Sequence, residues 1–145
     1  TDEQKAFGAR LDSLCDACVF GALPPFLFYA AGMTTPAELG VLAAFLCSAV
    51  WRLAYFDTVG LTDGSYRGLP TTFVALVVPL AFLAGFDGAS TLRVAANASA
   101  AALAVAMVAP FKLPKPGGVF YVIFPLLAIG VVVTYLSLGG RYLPS

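Results

Sequence analysis

The chain contains no histidine. That absence removes the commonest general base and the usual ligand of zinc and haem. Charge is scarce too: 11% of residues are Asp, Glu, Lys or Arg, where ordinary soluble domains carry about 25%. Eight basic and eight acidic residues cancel, so no global positive field points to nucleic acid. Three cysteines are an odd number and define no disulfide framework. There is no signal-peptide pattern in the opening Thr-Asp-Glu-Gln-Lys. Neither an internal repeat nor a second domain is visible in the 145 residues.

What the sequence does have is apolar length. Hydrophobic residues make up 60% of it, and its mean hydropathy is +0.90. Uncharged runs cover Ala17–Ala37, Gly68–Phe86, Val94–Phe111 and Gly117–Gly140, and Leu39–Phe56 is interrupted only by Arg52. A spanning helix needs about 20 apolar residues, and lipid leaves the backbone no partner but itself. The expectation is an all-α polytopic membrane bundle with about five transmembrane helices, kinked at Pro25, Pro79 and Pro125. The alanine-rich stretch Val94–Ala109 suits tight helix packing.

Lys and Arg placement sets orientation. With Thr1 in the cytoplasm, Lys5, Arg10, Arg52, Arg67, Lys112 and Lys115 fall on that side, and Arg93 and Arg141 on the other. Asp12, Asp16, Arg52 and the loop Asp57–Pro70 then share the cytoplasmic face.

The first apolar run is entered through "FGARLDSLCDACVFG", Phe7–Gly21. Residues four apart share a helix face, so Gly8, Asp12 and Asp16 form one stripe. Two like charges at that spacing repel, and proximity to the bilayer raises their cost. Arg52 is one neutralising candidate and a divalent cation the other, since hard cations take carboxylate oxygens. Gly8 leaves room for a ligand at the backbone. On spacing alone the pattern is equally a helix end with two solvated carboxylates. The alternative for Arg52 is a structural partner of the aspartates, and Arg67 is equally a loop residue on the positive side. Cys15-Asp-Ala-Cys18 has C-x-x-C spacing, but zinc wants four ligands and only Cys47 remains. These cysteines read as small helix-packing residues. Asn97-Ala-Ser99 matches a glycosylation acceptor inside an apolar helix and reads as chance.

Gly8-x-x-x-Asp12-x-x-x-Asp16 resembles the second half of the CDP-alcohol phosphatidyltransferase signature. That signature runs Asp-x-x-Asp-Gly-x-x-Ala-Arg, a spacer, then Gly-x-x-x-Asp-x-x-x-Asp. The Leu-Asp-Ser-Leu-x-Asp core is similar to the phosphatidylserine synthase branch. So are "WRLAYFD" at Trp51–Asp57, "YRGLPTT" at Tyr66–Thr72 and "MVAPFKLPKP" at Met107–Pro116. Tyr55 and Asp57 depart from it, standing where that branch often has arginine and asparagine.

The resemblance implies an integral membrane transferase, a homodimer in a prokaryotic plasma membrane with its active site on the cytoplasmic side. It would move a phosphatidyl group from CDP-diacylglycerol to L-serine and release CMP. Two divalent cations, Mg²⁺ or Mn²⁺ with Ca²⁺ as a further candidate, would bridge the aspartates and the pyrophosphate. By the same resemblance Asp12 and Asp16 are metal ligands, Asp16 takes the proton of the attacking hydroxyl, and Gly8 borders the nucleotide. Arg52, Arg67, Gly68, Pro70 and Lys115 are substrate-binding candidates. Glycerol phosphate, inositol phosphate or choline as acceptor, and an archaeal ether lipid as donor, remain open. So does a non-catalytic membrane subunit or cation carrier. The family's spacer is longer than the seven residues that precede Gly8. Asp57, Asp63 and Asp87 lack the frame of the first half. The expectation is that residues 1–145 are the C-terminal portion of a single transmembrane catalytic domain, with the first half of the signature on upstream helices.

Without histidine or a usable cysteine set, the metal site should be all-oxygen. EDTA is expected to stop CMP release and added Mg²⁺ or Mn²⁺ to restore it. Turnover that survives exhaustive chelation would contradict such a site.

Overall fold

The computed structural model describes residues 2–59, 65–110, 112–114 and 120–142, with only the backbone described at 65–67, 87, 112–114, 120–122 and 139–142. Its elements are α1 (Asp2–Asp16), a π-helical turn (Ala17–Ala22), α2 (Leu23–Ala30), α3 (Pro36–Val59), β1 (Ser65–Arg67), a 3₁₀ turn (Thr71–Phe73), α4 (Val74–Leu83), a second 3₁₀ turn (Ala84–Asp87), α5 (Ala89–Val108), β2 (Lys112–Pro114) and α6 (Phe120–Tyr142). The architecture is an all-α membrane bundle. Three rods, Asp2–Ala30, Pro36–Val59 and Ala89–Val108, are long and apolar enough to cross a membrane, while Thr71–Phe86 and Ile123–Leu138 are shorter apolar helices.

The first rod is continuous but not regular. Pro24 and Pro25 have no N–H to donate to the carbonyls one turn back. The chain answers with the π turn just before them, in which Leu23 N–H bonds to Cys18 O, five residues earlier. The irregularity predicted at Pro25 thus lies one turn towards the aspartates. α2 then stops at Gly32, whose φ of 104° suits glycine. Gly32 N–H bonds to Tyr29 O at 3.0 Å and Met33 N–H to Phe28 O at 3.1 Å, which satisfies the last carbonyls of the helix. Met33 and Phe28 are both buried.

α3 begins with a capping box, Thr35-Pro36-Ala37-Glu38. Glu38 N–H donates to Thr35 Oγ1 at 3.4 Å, and Thr35 N–H donates back to Glu38 Oε2 at 2.9 Å. Pro36 occupies the first helical position, where no N–H is needed. The same carboxylate receives Arg93 of α5, through Nη2 at 2.8 Å and Nε at 3.1 Å, and Asn97 Nδ2 at 3.3 Å. One acidic side chain therefore caps its own helix and ties it to another. Asn97, the glycosylation-like residue, points into this network.

Between its ends the bundle is held by close packing. Ala96, Ala100 and Ala104 are buried on one face of α5, with Leu103 and Met107. These small residues let α3 approach and bury Leu42, Phe45 and Ala49. Phe28 stacks on Phe82 with ring centroids 5.4 Å apart, joining α2 to α4. Tyr135 of α6 donates to the Pro79 carbonyl at 2.7 Å. Outward-facing Leu126, Ile129, Val133 and Leu136 on α6 and Val105 on α5 are exposed, as a lipid-facing surface requires. The only strands among the described residues form a two-stranded antiparallel ribbon that pairs Arg67 with Lys112, Tyr66 with Leu113 and Ser65 with Pro114. It joins the α3–α4 and α5–α6 connections at one end of the bundle.

Glu38→Ala is expected to lower the midpoint of thermal unfolding in detergent more than Arg93→Ala does. The first removes both the cap and the interhelix tie, whereas the second leaves the capping box intact. Equal shifts would show that the cap contributes nothing measurable.

Candidate functional site

α1 carries Gly8, Asp12 and Asp16 along one side. Asp12 is exposed and Asp16 half-buried. A Cβ placed on Gly8 would meet no atom within 4 Å, so the space beside it is open. Asp16 is the last α-helical residue before the backbone widens into the π turn. Such turns recur at functional sites.

Two contacts relate this helix to α3. Ser13 Oγ donates to Asp57 Oδ1 at 2.7 Å. Two turns further along, a Cβ on Gly21 would lie 3.5 Å from Ala49 Cβ. Together they set an antiparallel register in which Asp16 lies near the level of Ala54. The packed stripe of the first rod runs through Ser13, Asp16, Phe20, Gly21 and Pro24, all buried or half-buried. Cys15 and Cys18 lie off that stripe. They are exposed, not the packing residues expected from their size, because a helix places neighbours of Asp16 on other faces.

Arg52 is buried in α3, with its guanidinium carbon 5.6 Å from the centre of the Phe56 ring. It lines a pocket of about 170 Å³ with Trp51, Tyr55 and the α5 terminus Met107–Pro110. The Gly-Leu-Pro loop seals this terminus from the other side. Leu69 N–H bonds to Ala106 O at 3.0 Å, satisfying one of the carbonyls a helix end leaves open. Gly68 is buried with φ of 77°, and a Cβ there would stand 2.5 Å from Met107 O. Pro70 is half-buried and Thr71 buried beside it.

The structure therefore gathers Arg52, Gly68 and Pro70 around the end of α5, and it places Asp12 and Asp16 on the neighbouring α1. Arg67 lies in the ribbon opposite Lys112, but its side chain is outside the described residues, and so is the whole of Lys115.

Among the described residues no group of three or more His, Cys, Asp or Glu is placed to hold a metal ion. Two carboxylates match the oxygen preference of Mg²⁺ or Mn²⁺. They fill only part of the roughly six positions each ion needs, so water, substrate phosphate or other residues must complete the shell. Two features escaped the sequence reading. Thr35-x-x-Glu38 was visible as a capping pattern. The Ser13–Asp57 bond spans 44 positions and has no local signal.

No protein-family profile matches the chain. Over 128 residues it is 30% identical to the CDP-diacylglycerol–serine O-phosphatidyltransferase of Methanocaldococcus jannaschii. The chain is similar to a phosphatidyltransferase. The match takes in 87% of this chain and 60% of that protein's length, and it supports a relationship to the CDP-alcohol phosphatidyltransferases.

Gly68→Ala tests how the loop seats on α5. The left-handed backbone alone should cost about 1–2 kcal/mol, and the Met107 carbonyl must also move. Chemical unfolding in detergent should show at least that loss. Unchanged stability would mean that the loop does not rest on the helix end.

Proposed function

We propose that the protein synthesises a phospholipid by transferring a phosphatidyl group from CDP-diacylglycerol to the hydroxyl of L-serine, with release of CMP. The observation that carries this is the Gly8–Asp12–Asp16 stripe, set at the loop end of a membrane bundle beside a pocket with a buried arginine. The printed activity of the archaeal relative supports it.

The residues divide the work. Asp16, half-buried, accepts the proton of the attacking hydroxyl. The serine oxygen then forms its bond to the phosphorus of the phosphatidyl group as the bond to the CMP oxygen breaks, and no covalent enzyme intermediate is needed. Asp12 and Asp16 would hold the divalent cations, which would supply charge neutralisation to the pyrophosphate. Gly8 leaves the nucleotide room. Arg52 receives the carboxylate of the acceptor in its pocket, since guanidinium suits planar anions. Gly68 and Pro70 belong to the loop that backs the α5 end lining that pocket, and Arg67 and Lys115 draw phosphate headgroups to the site. The excess of Lys and Arg at this end supports a cytoplasmic active site.

Tyr55 lines the acceptor pocket, where the serine branch often has arginine. That difference favours a second reading in which another small alcohol is the acceptor.

CMP release from CDP-diacylglycerol, with serine, glycerol phosphate, inositol phosphate and choline offered in turn to the full-length protein, separates these readings. Asp16→Asn should lower kcat by about 10²–10⁴-fold, the usual contribution of a positioned base, with unchanged helix content by circular dichroism. Substantial turnover in that variant would remove Asp16 as the base. Cation flux without any CMP would replace the enzyme by a carrier.

A further inference from the structure

The aspartate helix meets α3 along one side. None of the residues Asp2–Asp16 is fully buried against the described residues, and the half-buried Ser13 and Asp16 lie on the side towards α3. Below it lies the least regular segment of the first rod, the π turn Ala17–Ala22, followed by Pro24 and Pro25. Successive helical residues are about 100° apart (3.6 per turn). A roll of that size would carry Asp16 away from α3 altogether.

A polar contact to α3 opposes such a roll. Ser13 sits between the two aspartates, three residues before Asp16 and thus on its face. Its hydroxyl donates to Asp57 Oδ1 at 2.7 Å, a short distance in the range of charge-assisted O–H···O⁻ bonds. Asp57 belongs to α3, five residues beyond the buried Arg52. The bond therefore ties the helix with the carboxylates to the helix that lines the pocket.

We propose that Asp57 is a positioning residue, whose carboxylate holds Ser13 and thereby fixes the rotation of α1 that aims Asp12 and Asp16. The inference rests on the metal-binding reading of those two aspartates. Asp57 does not touch the ion or the substrate and acts through Ser13 alone. An amide oxygen accepts the same hydrogen bond, so asparagine can replace its function, whereas alanine cannot.

The test is a Mn²⁺ titration read by electron paramagnetic resonance on the full-length protein in lipid nanodiscs. It is made alongside kcat, the KM for serine and the midpoint of thermal unfolding. Ser13→Ala and Asp57→Ala should each weaken Mn²⁺ binding about tenfold, equivalent to about 1.4 kcal/mol, and lower kcat while leaving the KM for serine nearly unchanged. The double variant should be no worse than either single one, as expected for partners in one interaction. Asp57→Asn should bind Mn²⁺ nearly as well as the parent. A merely structural bond would move the unfolding midpoint and not the Mn²⁺ affinity.

Additive effects in the double variant would overturn the positioning role. So would an Asp57→Asn defect as large as that of Asp57→Ala beside a silent Ser13→Ala, because the charge of Asp57 would then be what matters. If Asp16→Asn loses Mn²⁺ and turnover but both clasp variants match the parent, only the positioning role falls. If Asp16→Asn binds Mn²⁺ like the parent, both the role and the reading beneath it fall.

Discussion

Lipid offers a backbone N–H or C=O no partner, and each irregular feature of this bundle answers to that constraint. Where prolines remove donors in the first rod, the backbone widens so that Leu23 reaches Cys18. Where α2 ends, Gly32 turns the chain so that Met33 and Gly32 bond back to it. Where α3 starts, Thr35 and Glu38 exchange bonds. Where α5 ends, Leu69 from a distant loop supplies the missing donor. Helices follow from the constraint directly, and their ends are where side chains and loops become specific.

The two ends of the bundle meet it differently. At one, a single carboxylate on Glu38 serves Thr35, Arg93 and Asn97 together, so local capping and interhelix attachment share one group. At the other, backbone does most of the joining, through the ribbon and the seat of Gly68 on α5. The charged and polar side chains there remain disposed around a pocket and an open helix face. The first arrangement consumes its hydrogen-bonding capacity in structure. The second sets carboxylates and an arginine beside accessible space, which is the chemical reason to look for function there.

Much of the fold was legible in the sequence because uncharged length is a local property. Ala17–Ala37, Leu39–Phe56 and Val94–Phe111 each fall largely within a helical rod. The stripe of Gly8, Asp12 and Asp16 was legible for the same reason, since helical periodicity places it on one side without knowledge of any neighbour. Contacts across the fold were not. Arg93 and Glu38 are 55 positions apart, and counting charges only assigned Arg93 to a face. Asp57 stood out as a departure from a motif, while its bond to Ser13 required the register of two helices. The exposure of Cys15 and Cys18 was misjudged because residue size says nothing about which face of a helix is packed. The roles of Arg67 and Lys115 rest on the resemblance and on their position in basic loops.

The small ribbon acts as a length gauge. Backbone pairing along the ribbon fixes which residue of β1 stands opposite which residue of β2. With Arg67 opposite Lys112, the distance along the chain from the end of α5 to that pairing is set, and so is the distance from that pairing to the start of α4. An insertion in either connection must therefore be absorbed outside the paired residues.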